Sequence, residues 1–136
     1  MNKLFFSVVS LLAFTSCASE YKIEGSSSVS RLDGKMLFVK VPSGDRMLSI
    51  DSAEVIHGMF KMEGITDSTS MASLYMDDES IMPFVIEKGK ISISIDNARI
   101  VVTGTPLNDR LYDFVGKKRN FFGRTERTSW SVRRAV

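Results

Sequence analysis

The chain has 136 residues, with 18 Lys and Arg against 16 Asp and Glu, one cysteine and one histidine. A single cysteine excludes an internal disulfide and a C-x-x-C redox pair, and a single histidine leaves no Ser-His-Asp constellation to recognise. The near-neutral sum hides two regions: from Lys117 onward seven residues are basic and one is acidic, a balance of +6, so residues 1–116 hold 11 basic and 15 acidic groups, or −4.

In chain order, Met1-Asn2-Lys3 is a short basic start, Leu4 to Phe14 is apolar apart from Ser7 and Ser10, and small residues follow. This pattern predicts a secretory signal peptide over residues 1–16. The apolar stretch is shorter than the roughly 20 residues that a spanning helix needs. Cys17 at its exit resembles the lipobox cysteine of bacterial lipoproteins, where cleavage precedes the cysteine and its sulfur takes a diacylglyceryl group. Phe14 stands three before it, where Leu is usual. Ser16-Cys17-Ala18 also fits an ordinary A-x-A-like site, with cleavage after Ala18. Under either reading the mature protein has no free thiol. The first reading makes the membrane a partner, through lipid on Cys17.

Residues 17–104 are expected to form an antiparallel β-sandwich or barrel of about eight short strands. Lys90 to Asp96 alternates most cleanly, with Ile91, Ile93 and Ile95 on one side and Ser92 and Ser94 on the other. Further strands are predicted at Tyr21–Gly25, Lys35–Val41, Arg46–Glu54, Met59–Gly64, Met71–Tyr75, Ser80–Glu87 and Arg99–Thr103. Gly25 to Ser30 reads as a polar loop. His57-Gly58, Glu87 to Lys90 and Asp96-Asn97 are expected as hairpin turns, because Gly and Asn tolerate positive φ. The predicted inward set is Leu37, Val39, Leu48, Ile50, Phe60, Met62, Leu74, Phe84, Ile86, Ile91, Ile93, Ile95 and Val101. Most mature-body methionines fall at strand positions and are expected to fill core gaps. A helix is predicted over 105–122, from apolar spacing at 107, 111, 114 and 115, with Thr105 as N-cap and Pro106 at the first helical position. Residues 123–136 read as a basic tail without order.

Four stretches, "YKIEGSSS", "SIDSAEVIHGMFKMEG", "IMPFVIEKGKISISID" and "VVTGTPLNDRLYDF", occur in that order. Together they resemble a domain of unknown function found N-terminal to thioredoxin-like (TlpA/AhpC-TSA-type) domains in Bacteroidetes lipoproteins. The resemblance covers about residues 20 to 115. Its most specific positions are Asp51, Ser52, Gly58, Phe60, Gly104, Leu107 and Asn108, expected to be structural. It implies a β-sandwich-like domain and then a helix leading into a thioredoxin fold. No βαβ pattern and no C-x-x-C follows Phe122, so the redox activity does not carry over. Residues 123–136 fit either a truncated or frameshifted reading of a longer gene or a basic arm.

No residue combination announces chemistry. His57 is expected in an exposed turn, and Asp77-Asp78-Glu79 lacks the ligand spacing that calcium requires. No catalytic residue, cofactor or metal is expected. The basic tail reads as solvated, with anionic phospholipid the next option; nucleic acid is not an expected partner. The expectation is therefore a non-catalytic cell-envelope lipoprotein domain, accessory to a thioredoxin-like oxidoreductase or to another envelope protein. Only Glu20 is acidic close after Cys17, which favours the periplasmic side. The alternatives are a stand-alone ligand- or protein-binding β module and a fragment of a thiol-disulfide or peroxide reductase.

Overall fold

The computed structural model describes residues 19–119. The expected signal segment, Cys17 and the tail beyond 119 lie outside the described residues, as do positions 120–122 of the expected helix. Eight strands run in order: β1 Glu20–Ser27, β2 Met36–Ser43, β3 Arg46–Glu54, β4 Met59–Ile65, β5 Ser70–Met76, β6 Glu79–Ile86, β7 Gly89–Ile95 and β8 Ile100–Thr103. A helix, α1, follows over 106–119. Each predicted strand is present.

The strands form two four-stranded sheets, ordered β4-β1-β7-β8 and β3-β2-β5-β6. This is a sandwich rather than a barrel. Tyr21, Ile23, Phe60, Met62, Ile91, Ile93, Ile95 and Val102 of the first sheet meet Leu37, Val39, Ala72, Leu74, Met82, Phe84 and Ile86 of the second in one buried cluster. Alternation is what makes this possible, since every second side chain of a strand points to the same face. The opposite face of the first sheet is charged: Lys22 pairs with Glu63 across β1 and β4 at 3.4 Å, and Lys90 on β7 with Glu24 at 2.7 Å.

The pairing departs from the expected all-antiparallel order at one place. β1 lies parallel to β7, Tyr21 opposite Gly89 and Ser27 opposite Ile95. Two expected hairpins are also corners between sheets, because β3 and β6 belong to one sheet while β4 and β7 belong to the other. At His57-Gly58 the turn is a hairpin locally, with Ile56 and Met59 exchanging both backbone bonds at 2.9 and 3.0 Å. His57 and Gly58 have φ of 51° and 74°, the positive pair a two-residue turn of this hand requires. The chains then diverge into separate sheets. Asp96-Asn97 does join the hairpin pair β7 and β8.

Four further expectations need correction. Leu48 and Ile50 are exposed, not inward, at 55% and 41%. The β2–β3 register slips between Val39 and Lys40, which leaves Ile50 as an extra, unpaired residue on β3. β5 stops following β2 at Lys40, so the tip of the β2–β3 hairpin peels off the sheet and no opposite strand covers it. In β8 the core position is Val102, with Val101 only half-buried. Gly25, Ser26 and Ser27 extend β1 rather than start a loop. Of the methionines expected to fill core gaps, Met62 and Met82 are buried and Met76 packs partly buried against the core, while Met36, Met47, Met59 and Met71 are exposed.

The two ends of the sandwich differ. Ser19 leads into β1 at what we term the proximal end, where Thr66 N–H donates to Ser19 O at 2.8 Å. The β6–β7 corner, the start of β3 and the start of α1 lie at the same end, because β7 parallels β1 and β6 leads into it. The β3–β4 corner and the Asp77-Asp78 turn lie at the distal end.

Candidate functional site

The polar side chains that the fold buries gather where α1 meets β6. β6 is an edge strand of its sheet, so its outer N–H and C=O groups need partners. Asn108, fully buried, supplies them: its Oδ1 accepts from Val85 N–H at 2.8 Å, and its Nδ2 donates to Val85 O at 2.8 Å. A side-chain amide here stands in for a neighbouring strand. One helical turn on, Tyr112 OH donates to Pro83 O at 2.8 Å, reaching the next outward carbonyl along the same edge. The spacing of four in the helix thus matches the spacing of two in the strand.

The helix start is closed from elsewhere in the chain. Glu87 Oε1 accepts from the N–H groups of Leu107 and Asn108 at 2.8 and 3.4 Å, placing a carboxylate where unpaired amides and the helix dipole favour an anion. Thr105 precedes the helix as expected, but its hydroxyl accepts from Asn108 Nδ2 at 2.8 Å rather than capping an amide. Asp109 Oδ1 accepts from Gly104 N–H at 2.9 Å. Gly104 has φ of 103°, and a Cβ there would run into the Lys90 carbonyl oxygen. Only glycine fits this approach.

A second tie joins the sheets. Tyr21 lies over Gly64, its pair on β4, where a Cβ would overlap the phenol ring, and Phe60 lies in the same way over Gly25 on β1. From that position Tyr21 OH donates to Asp51 Oδ2 at 3.2 Å, while Asp51 Oδ1 accepts from Ser52 N–H at 2.8 Å. Asp51 therefore sits beside the bulge and satisfies an amide there. Burial, and then the neighbouring Asp51 carboxylate, push the Tyr21 phenol up to about 12. Burial also raises Tyr112.

The seven motif positions therefore divide. Gly104, Leu107 (through its amide) and Asn108 belong to the clasp, and Asp51 and Ser52 to the inter-sheet tie. Phe60 packs over Gly25, and Gly58 forms the corner, where its N–H donates to Asp33 Oδ1 at 3.1 Å. They do not converge on one reactive point. The residues that sequence reasoning missed are Glu87, Thr105 as partner of Asn108, Asp109, Tyr112, Tyr21, Gly25 and Gly64. The available signal was Asn108 itself, a polar residue one turn before Tyr112 on a single helical face.

Elsewhere, His57 is exposed at the corner. Asp77-Asp78 forms the turn before Glu79, and among the described residues no three His, Cys, Asp or Glu side chains are grouped to hold a metal ion. An open cleft of about 620 Å³ lies at the distal end, floored by Val29, Leu32 and Ile81 and rimmed by Arg31, Glu79 and Asp96. Asp96 is committed to its own turn, accepting from Ala98 and Arg99 N–H at 2.7 and 2.8 Å, bonds that hold its carboxyl below the usual range. No described helix is long and apolar enough to cross a membrane.

Two sheets closed over one core, with a helix clasped to an edge strand, define a small β-sandwich domain whose buried polar groups are spent on architecture. The chain belongs to the family described as "Domain of unknown function (DUF4369)", whose model matches residues 21–111 and so takes in the inter-sheet tie and the clasp as far as Asn108, with Tyr112 just beyond it. No curated protein matches the chain.

Proposed function

We propose that this domain is a non-catalytic spacer of the cell envelope. Lipid on Cys17 tethers its proximal end, and α1 carries the following chain away towards the distal end as the accessory N-terminal part of a thioredoxin-like oxidoreductase. The observation that supports this reading is the clasp. α1 starts at the proximal end and runs antiparallel to β6, Asn108 beside Val85 and Tyr112 beside Pro83. A helix pinned at two successive turns holds a fixed direction, whereas a free linker of the same length samples many. The thioredoxin-like partner comes from the family resemblance, not from residues of this chain. The tether is tested by metabolic labelling with palmitate: incorporation that disappears in Cys17→Ala supports it, and equal or absent labelling in both proteins refutes it.

The distal cleft favours a second reading, a ligand- or peptide-binding module. A binding screen of envelope extract against the purified body, repeated with Arg31→Glu, separates the two: a ligand lost with the substitution supports the module.

A further inference from the structure

The large apolar side chains that the described residues leave exposed are not evenly spread. Of eleven, six lie at the proximal end: Met47, Leu48, Ile50, Ile65, Met71 and Leu107. Ile65, at 70%, is the most exposed of all. It pairs with Glu20 on β1 and adjoins the Thr66–Ser19 backbone bond. Tyr21, stacked over Gly64, reaches Asp51, which sets β3 opposite the last residues of β4. Ile50 and Leu48 continue from there past the edge of the core, on the hairpin tip that β5 no longer supports. Single exposed apolar residues are ordinary; here six are gathered at the end where the chain enters, two of them, Leu48 and Ile50, uncovered by the register slip.

Chain length identifies the occupant. Cys17 precedes Ser19 by two residues, and β1 begins at Glu20. Two residues span at most about 7 Å, while the headgroup layer of one leaflet is roughly 5–8 Å deep. We infer that the proximal end seats on the bilayer surface, with Ile65, Leu48, Ile50 and Met47 entering the headgroup–acyl boundary. This rests on the reading that Cys17 carries lipid. Glu20, Asp45, Arg46, Asp67 and Lys88 at this end sum to −1, so attraction to anionic lipid does not drive the contact, which is apolar and persists at high salt.

The test couples the chain from Cys17 onward, through its one thiol, to maleimide-phosphatidylethanolamine in phosphatidylethanolamine–phosphatidylglycerol vesicles with brominated acyl chains. Trp130→Phe removes the native tryptophan, and a reporter is placed by Ile65→Trp or, at the distal end, by Met59→Trp; both positions are exposed. Quenching of roughly twofold or more at position 65, with little at 59, is expected. Equal quenching at both positions, or none at 65, overturns the inference. A blue shift at 65 without bromine quenching assigns the patch to a second copy of the chain and overturns it too. Because the coupling is chemical, the outcome is independent of whether cells acylate Cys17, which palmitate labelling decides separately.

Discussion

Replacing Asn108 by Ala tests the clasp. The substitution removes the partner of both Val85 N–H and Val85 O, each held at 2.8 Å, and the donor to Thr105 Oγ1. Val85 is 7% exposed and Asn108 is fully buried, so water does not replace the lost bonds while the helix stays docked. A buried polar group without a partner costs about 1–3 kcal/mol. The two strand groups together therefore cost about 2–6 kcal/mol, out of a total stability on the order of 5–15 kcal/mol for a domain of this size. If that cost exceeds what docking contributes, α1 releases instead and the strand edge hydrates. Urea unfolding followed by far-UV circular dichroism distinguishes the outcomes. A lower midpoint at unchanged slope reports a docked helix with unsatisfied groups, while a reduced helical signal before the transition reports release. A variant with the native midpoint and the native helical signal refutes the clasp.

Three further outcomes follow from the same contacts. Gly25→Ala places a methyl within the Phe60 ring; it should cost about 3 kcal/mol, and combining it with Phe60→Leu should cost less than the sum of the two single changes, read from thermal or urea midpoints. Glu87→Ala frees the Leu107 and Asn108 amides and should cost about 1–2 kcal/mol, most of it recovered in Glu87→Gln, which keeps an acceptor. Tyr21 is raised from 10.0 to about 12, so the folded state holds the phenolic proton more tightly than the unfolded chain. Its contribution is complete below pH 10 and is lost as pH rises towards 12. Absorbance titration should show a late component, to which Tyr112 also contributes, that shrinks in Tyr21→Phe; a late component of the same size in that variant would contradict this.

Period-two alternation made the strands legible, because Ile91, Ile93 and Ile95 or Leu37 and Val39 report burial locally, without knowledge of their partners. Pairing was not legible. Nothing local to Tyr21 or Gly89 says that they lie side by side in parallel, and the two-residue turn at His57-Gly58 looks the same whether its strands stay together or part. Leu48 and Ile50 alternate as an inward set should. Only the slip opposite Val39 and Lys40, a property of two strands, strips them of cover. The motif residues were visible as a group, yet their work depends on distant partners: Asn108 on Val85, Asp51 on Tyr21, Phe60 on Gly25. In the sequence Gly25 and Gly64 only mark the ends of predicted strands; that the Phe60 and Tyr21 rings fill the space over them depends on the cross-strand partner.

The claim on which the spacer rests is that the chain enters at one end of the sandwich and is led off towards the other. Spin labels at Ser19→Cys and Lys118→Cys, in a Cys17→Ser background, measure this directly by pulsed electron resonance. With α1 clasped along β6, a single narrow distance of roughly 25 Å or more is predicted from the helix rise and the width of the sheets. A distance well below that, or a broad distribution unaffected by Asn108→Ala, would mean that the helix is not held away from the entry point.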